Sequence, residues 1–232
     1  GNTFVLKPSE FTSVSTLEFA KLFDEAGFPP GVVNVVTGFG DEVGQALVTH
    51  PKVRKVAFTG SERAGRHINT LAATDFKRVT LELGGKSPNI VFEDADLDNA
   101  VRGVVSGIFA ASGQTCVAGS RLLVQRSIHD RFVERLVALA REARLGDPMA
   151  DTTQIGPVTT SAQFHKILDY IEIAKAEGAR CVLGGRRASG PQCANGLFVE
   201  PTIFTGVNNA MRIAREEVFG PVLACIPFND DE

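Results

Sequence analysis

Cys116 stands in GQTCVAGSR, Gly113 to Arg121, a run of Gly, Ser and Ala whose small side chains leave a thiol reachable. A thiolate so placed, with backbone N–H groups nearby, is a nucleophile for a carbonyl carbon. Free cysteine otherwise packs as a small buried hydrophobe, and that bland reading suits Cys181, Cys193 and Cys225, which have no such surroundings. Thirty-four residues before Cys116, the strand-like run TLELGGKSP carries one carboxylate, Glu82. A carboxylate at a strand end beside Gly84 and Gly85 has room to move and to take a proton from water. In isolation, a glutamate there would be an ordinary surface or cap charge.

A second chemistry is written in Gly60-Ser61-x-x-x-Gly65, where a strand runs into a helix. Ser61 and the first-turn N–H groups can meet a phosphate at the positive end of the helix; the bland alternative is a plain serine N-cap. GFGDEVG, Gly38 to Gly44 and centred near Gly40, is only loosely like a dinucleotide-binding GxGxxG turn and carries little weight.

The elements that must position these residues follow from composition and pattern. A chain of 232 residues, 44% apolar, can bury a core and can be one large domain or parts of two. Its 24 Lys and Arg against 27 Asp and Glu leave a net charge of −3, so no basic excess points to nucleic acid. Arg186-Arg187 and the pair Arg141 and Arg144 read as solvated faces. No apolar run approaches the ~18 residues of a membrane span, since the longest candidate, Val101 to Ala111, carries Arg102 and glycines. Four cysteines without a CxxC pair or secretory signal favour a reduced, cytoplasmic setting. Four histidines without an HExxH grouping predict no metal site. The chain starts Gly-Asn-Thr without an initiator Met and stops after LACIPF with an acidic tail, the expectation for an interior piece of a longer protein.

Up to about residue 83, strand candidates Thr3 to Leu6, Val32 to Val36, Lys55 to Phe58 and Arg78 to Glu82 alternate with helical patterns, as in βαβ units and a parallel sheet. Phe19, Leu22, Phe23 and Ala26 form one apolar stripe expected to pack on that sheet, with Ser15 and Glu18 as a capping box and Gly27 and Pro29 as the stop. Asp41 to His50 and Ser61 to Thr74 are the next helices. Beyond Gly84 a second α/β unit is expected: strand Asn89 to Phe92, helix Asp96 to Ala110, the cysteine loop, and strand Arg121 to Val124. Ser127 with Asp130, and Thr160 with Gln163, read as capping boxes of two further helices that end near Gly146 and Gly178. Gly184 to Leu197, rich in Gly, Arg and Pro, reads as a surface loop.

Taken together, VLKPSE, FTGSERAG, TLELGGKSPN, GQTCVAGSR and EEVFGPV, in that order along nearly the whole chain, resemble the aldehyde dehydrogenase superfamily. The resemblance implies an α/β fold in which residues 1–83 are part of an NAD-binding domain and 84–232 part of a catalytic domain. It implies that Cys116 attacks an aldehyde to give a thiohemiacetal, that hydride leaves for the nicotinamide, and that Glu82 activates the water that hydrolyses the remaining thioester. Relatives that pass the acyl group to coenzyme A are expected to lack this glutamate, so the resemblance is to the non-acylating branch.

The same resemblance assigns cofactor contacts to Lys7 and Glu10 at the adenosine ribose, to Gly40, Gly60, Ser61, Gly65 and Leu83 along the cofactor, and to Glu217 and Phe219 at the nicotinamide ribose. A carboxylate at Glu10 accepts from a 2′-hydroxyl and repels a 2′-phosphate, which prefers NAD over NADP. Glu62 stands where the family often has Thr, and is expected to point to solvent. The family's second oxyanion donor is an asparagine from a segment before the point where this chain begins, and Asn2 lies too near the first strand to replace it. The implied whole is a homo-oligomeric enzyme on a small aldehyde; the alternative is a catalytically incompetent fragment that binds nucleotide or is only structural. A thioesterase using Cys116 and Glu82 alone leaves the phosphate-site residues without a role.

Overall fold

A computed structural model describes residues 1–229, so Asp230 to Glu232 of the acidic tail lie outside the described residues. The chain forms two compact units, one of Gly1–Leu83 and one from Gly84 onward.

In the first unit, β1 (Phe4–Leu6) pairs in parallel with β2 (Val33–Val35) across α1 (Ser13–Glu25). Likewise β3 (Lys55–Thr59) pairs in parallel with β4 (Arg78–Glu82) across α3 (Glu62–Ala73). These are the two βαβ crossovers that alternating strand and helix patterns require. Between them, the expected helix from Asp41 splits into a π-helical turn, Gly40–Gly44, followed by α2 (Gln45–Thr49). Lys77 ties the end of α2 down by donating to the carbonyls of Val48 and His50.

Two expectations fail at α1. The helix begins at Ser13 after Thr12, which makes no side-chain cap, and Ser15 Oγ instead donates back to the Thr12 carbonyl. A hydroxyl inside the first turn reaches a carbonyl of the preceding turn more easily than an N–H ahead of it. Nor is the apolar stripe buried: α1 has no buried residue, and Phe19 is 55% exposed. Phe19, Phe23 and Phe28 cluster among themselves, edge to face.

The second unit is a three-layer sandwich. Its sheet runs β5 (Pro88–Val91), β6 (Arg121–Gln125), β9 (Val222–Phe228), β8 (Thr202–Thr205), β7 (Arg180–Leu183), parallel except for β7 at the edge. Strand alternation sorts the core into two layers. Leu122, Val124, Ile203, Leu223 and Cys225 face α4 (Leu97–Phe109) and α5 (His129–Arg141). Phe204, Val222, Ala224 and Ile226 face α6 (Ser161–Ala176) and the short α7 (Arg212–Arg215).

Asp96 caps α4 by accepting from Asp98 and Asn99, and Thr160 caps α6 by accepting from the Gln163 N–H. The Ser127 box does not form, because Ser127 Oγ donates to Glu93 instead, and α5 starts after Ile128. It also ends at Arg141, short of Gly146, whereas α6 does stop beside Gly178 at φ +94°. Strands β7 and β8 and helix α7 are too short for the periodicity to have marked them. Gly184 to Leu197 is largely irregular as expected, but it is no mere surface loop: Ala188 and Cys193 bury against Phe198.

Phe204 is fully buried between β8 and α6. Phe204→Ala is expected to cost about 3–5 kcal/mol of stability in the second unit, read as a drop in the urea midpoint.

Candidate active site

Cys116 is exposed in a turn closed by the Ala118 N–H on the Thr115 carbonyl, and the loop returns to the sheet through Gly119 N–H on Gly107. The approach to it is unusual. After α4 the backbone enters the left-handed region at Ala111 (φ 49°, ψ 32°) and Ser112 (φ 56°, ψ 29°) and stays there through Gly113 (φ 70°). Non-glycine residues hold such angles only where the surroundings enforce them. Here Ser112 is buried and its Oγ donates to the Gly156 carbonyl at 2.8 Å, while Gln114 Oε1 accepts from Thr159 N–H at 3.2 Å. Gly113 lies against the Gly220 carbonyl and Pro221 nitrogen, where a Cβ would overlap the backbone.

Gly220 closes the segment that bears Glu217 and Phe219, and that segment is held from three sides. Glu216, the neighbour of Glu217, accepts from Tyr170 Oη at 2.5 Å and from Arg212 through both oxygens, at 3.0 and 2.9 Å. These donors hold the Glu216 carboxyl well below its usual range, at about 2, Arg212 contributing most. Gln163 Nε2 donates to the carbonyls of Val218 and Phe219 at 2.8 and 2.9 Å, steadying Phe219 at its own left-handed φ of 57°. Glu217 Oε1 accepts from the Gly85 N–H at 3.1 Å, and its carboxylate lies directly over Gly84, where a Cβ would push it aside. Gly85 also backs onto the Cys116 carbonyl, with 3.4 Å left for a Cβ. Thus Glu217 and the Cys116 carbonyl, from segments 101 residues apart by number, both approach the Gly84–Gly85 backbone.

Lys86 follows Gly85 in the chain. Its Nζ is buried with no hydrogen-bond partner among the described residues. Burial, reinforced by the Arg121 cation, pulls its ammonium down to about 8.

The remaining predicted residues lie in the first unit. Glu82 is the exposed last residue of β4, and its carbonyl accepts from the Gly60 N–H at 3.0 Å, so the two predicted residues are neighbours. Ser61 caps α3 by accepting from the Ala64 N–H at 3.3 Å. This leaves the N–H groups of Glu62 and Arg63 as the open donors of the first turn. Glu62 points outward and pairs with Arg66 one turn along the helix. Gly65 is buried under Leu83, whose Cδ2 would lie 2.6 Å from a Cβ. Lys7 Nζ donates to Gly38 O at 3.1 Å and stands 3.9 Å from Glu10 Oε2, bringing Lys7, Glu10 and the turn before Gly40 together.

Sequence reasoning missed Lys86, Tyr170, Arg212, and the side-chain role of Gln163, whose backbone it had placed correctly at the cap. Only Gln163 carried a signal. Lys86 lies within TLELGGKSPN but nothing local marks its burial, and Tyr170 and Arg212 belong to none of the motifs.

The aldehyde dehydrogenase family model matches residues 1–232. The chain belongs to the aldehyde dehydrogenase family. It is 50% identical over all of its 232 residues to a betaine aldehyde dehydrogenase of Mesorhizobium japonicum, of which it covers 47%. An NAD-dependent aldehyde dehydrogenase from Sinorhizobium meliloti superposes with a TM-score of 0.95 at 49% identity, over 98% of this chain and 45% of that one. A betaine aldehyde dehydrogenase point mutant from Staphylococcus aureus, solved with NAD+ and a BME-modified cysteine, superposes with a TM-score of 0.95 at 42% identity, over 98% and 46%. This member of the family therefore spans about half the length of the curated relatives it matches. No helix among the described residues is long and apolar enough to cross a membrane, and among the described residues no cluster of three or more His, Cys, Asp or Glu is placed to hold a metal ion.

Of the chain's other three thiols, Cys193 and Cys225 are buried and Cys181 is half-buried. Burial pushes Cys225 up to about 12 and raises Cys181 and Cys193. At neutral pH, iodoacetamide is expected to label Cys116 first and Cys225 last; peptide mapping that finds Cys225 labelled ahead of Cys116 would contradict the burial argument.

Proposed function

We propose that this chain is the part of an NAD-dependent, non-acylating aldehyde dehydrogenase that holds the nucleophile, the base and much of the cofactor site. The observation that carries this reading is the exposed Cys116, whose backbone carbonyl approaches the same Gly84–Gly85 segment that holds the Glu217 carboxylate. Residues 1–83 act as a portion of the NAD-binding domain and 84–232 as a portion of the catalytic domain.

The residues present fit NAD. The open N–H groups at the start of α3, beside the Ser61 cap, suit a phosphate. Gly65 lets Leu83 press against the helix. Glu10 suits a ribose diol and disfavours a 2′-phosphate, with Lys7 alongside. In this reading Gly40 and Gly60 line the path, and Glu217 and Phe219 take the nicotinamide ribose.

The Cys116 thiolate adds to the aldehyde carbon, and the carbonyl electron pair moves to oxygen, where the Cys116 N–H stabilises the oxyanion. One such donor is typically worth roughly 3 kcal/mol. NAD, when bound, accepts the hydride from that carbon, and a thioester to Cys116 remains. Glu82 takes a proton from water, the hydroxide adds to the thioester carbon, and the C–S bond breaks to return the thiolate and release the carboxylic acid. Betaine aldehyde is the first substrate to try, since several relatives carry that name. The full-length enzyme is read as a cytoplasmic homo-oligomer without nucleic-acid or membrane partners.

A second reading, that the 232-residue chain alone is catalytically incompetent, is favoured by one observation: α1 buries nothing, and Phe4, Val14, Phe19 and Leu22 are exposed. Calorimetric titration with NAD and an NADH absorbance assay on the chain decide between them, turnover by the chain alone refuting incompetence.

In the full-length enzyme, Cys116→Ser is expected to abolish NADH production, and unchanged turnover overturns the assignment. Glu82→Gln is expected to preserve the pre-steady-state NADH burst while slowing steady turnover about a hundredfold or more. A burst and a steady rate both equal to wild type would remove Glu82 from the base role.

A further inference from the structure

The three residues before the exposed tip of the cysteine loop are each held by a different segment of the second unit. Buried Ser112 donates from Oγ to the Gly156 carbonyl at 2.8 Å. Gly113 lies against the backbone of Gly220 and Pro221. Gln114 Oε1 accepts from the Thr159 N–H at 3.2 Å. On the far side the loop returns through the Gly119 N–H on the Gly107 carbonyl. Between these ties Thr115, Cys116 and Val117 are exposed, and among the described residues no side-chain hydrogen bond reaches them. The placement of Cys116 is therefore inherited from the base of its loop.

That base is bent against the preference of its residues. Ala111 (φ 49°, ψ 32°) and Ser112 (φ 56°, ψ 29°) are left-handed in succession, which residues with a Cβ adopt only where their surroundings enforce it. Alanine has no side-chain hydrogen bond to offer, so of the two only Ser112 can tie the bend down through its side chain. Its acceptor stands 44 residues farther along and is itself fixed. Gly156 lies between Ile155 and Val158, which are buried in opposite core layers. The Ile155 N–H donates to the Arg144 carbonyl at 3.1 Å, and the Val158 N–H to the Leu197 carbonyl at 2.9 Å. The stretch from Gly156 to Thr159 is thus a splint laid along the base of the cysteine loop.

We propose that Ser112 is a positioning residue for the nucleophile: its hydroxyl, bound to the fixed Gly156 carbonyl, holds the left-handed bend that presents Cys116, with Gln114 on Thr159 as the second tie. The proposal rests on the reading of Cys116 as the nucleophile. Being buried, Ser112 acts through the backbone, on where the thiolate and the Cys116 N–H stand relative to the aldehyde carbonyl. A displacement of about 1 Å in a reacting group can cost roughly a hundredfold in rate. Any partly buried hydrogen bond also adds stability; what separates a positioning role is that the rate follows the backbone preference at residue 112.

The test uses the full-length enzyme with NAD and an aldehyde that the wild type oxidises, betaine aldehyde being tried before propanal. Ser112→Ala loses the hydroxyl and keeps the steric cost of a left-handed Cβ. It is expected to slow pre-steady-state NADH formation roughly ten- to a hundredfold, with the calorimetric dissociation constant for NAD within about twofold of wild type. Ser112→Gly loses the same hydroxyl but takes left-handed angles freely, and is expected to form NADH at least about fivefold faster than Ser112→Ala. Where thermal melts show that Ser112→Ala does not fold, Gln114→Leu, which removes the acceptor for the Thr159 N–H, carries the test with the same slowing expected. A Ser112→Ala rate equal to wild type, a Ser112→Gly rate no faster than that of Ser112→Ala, or NAD affinity lost in step with the rate overturns the role of Ser112 and leaves the nucleophile reading intact. A wild-type rate in Gln114→Leu, when that variant carries the test, does the same. A Cys116→Ser enzyme that still forms NADH at the wild-type rate overturns the nucleophile reading and the proposal with it.

Discussion

The absence of a Cβ at Gly113 is the constraint on which the placement of the Cys116 loop depends. The Gly220 carbonyl and Pro221 nitrogen occupy the space a side chain would take, so the segment leading to Cys116 and the segment following Glu217 pass in backbone contact. Pro221 in turn accepts from the Thr202 N–H at 2.9 Å, at the start of β8. The bend at Ala111 and Ser112 is strained, at about 1–3 kcal/mol for each such residue. The buried Ser112 hydroxyl on Gly156 and the contact with Gly220 over-determine it. A loop of small residues would otherwise be free to wander; here it is fastened to the central strands at its base and left exposed at its tip, Thr115 to Val117.

Adjacent glutamates show how the same side chain is given two tasks by its surroundings. Glu216 is saturated by Tyr170 and Arg212, a clasp that fixes the backbone. Glu217, one residue on, makes a single bond to Gly85 and keeps acceptor capacity for a ligand. Two consecutive carbonyls after it are held by the Gln163 amide. The segment is thus rigid at its backbone and open at one carboxylate, the arrangement a ribose-binding residue requires.

The first unit is organised differently. Its parallel pairs β1–β2 and β3–β4 are each joined through a helix, but the helix-facing apolar surface is little covered, with Val48, Gly65 and Ala72 among its few buried residues. Its turn at Ser61, the proposed phosphate site, is nonetheless completed by local interactions alone: a cap, a glycine under Leu83, and the Gly60 N–H on Glu82. Sites built from one turn and its immediate neighbours do not need an extensive core to take shape.

That difference also marks what the sequence by itself determined. Local signals were sufficient for the βαβ alternation, the cap at Ser61, the apolar stripes of α5 and α6, and the singling out of Cys116 and Glu82, because each depends on a few adjacent side chains and the period of a helix or strand. The capping boxes at Ser15 and Ser127 failed because a hydroxyl takes whichever partner the fold brings nearest, the Thr12 carbonyl in one case and Glu93 in the other. Strands β7 and β8 were invisible because four residues between glycines and prolines carry no readable period, and their pairing is with each other and β9. Only the tertiary structure decided that the Cys116 carbonyl and Glu217 both approach the Gly84–Gly85 backbone, that Gly113 must be bare, and that the Lys86 ammonium is buried with no hydrogen-bond partner among the described residues. Those are properties of segments distant in the chain, and their energies come from close approach and excluded water, which no local pattern of residues records.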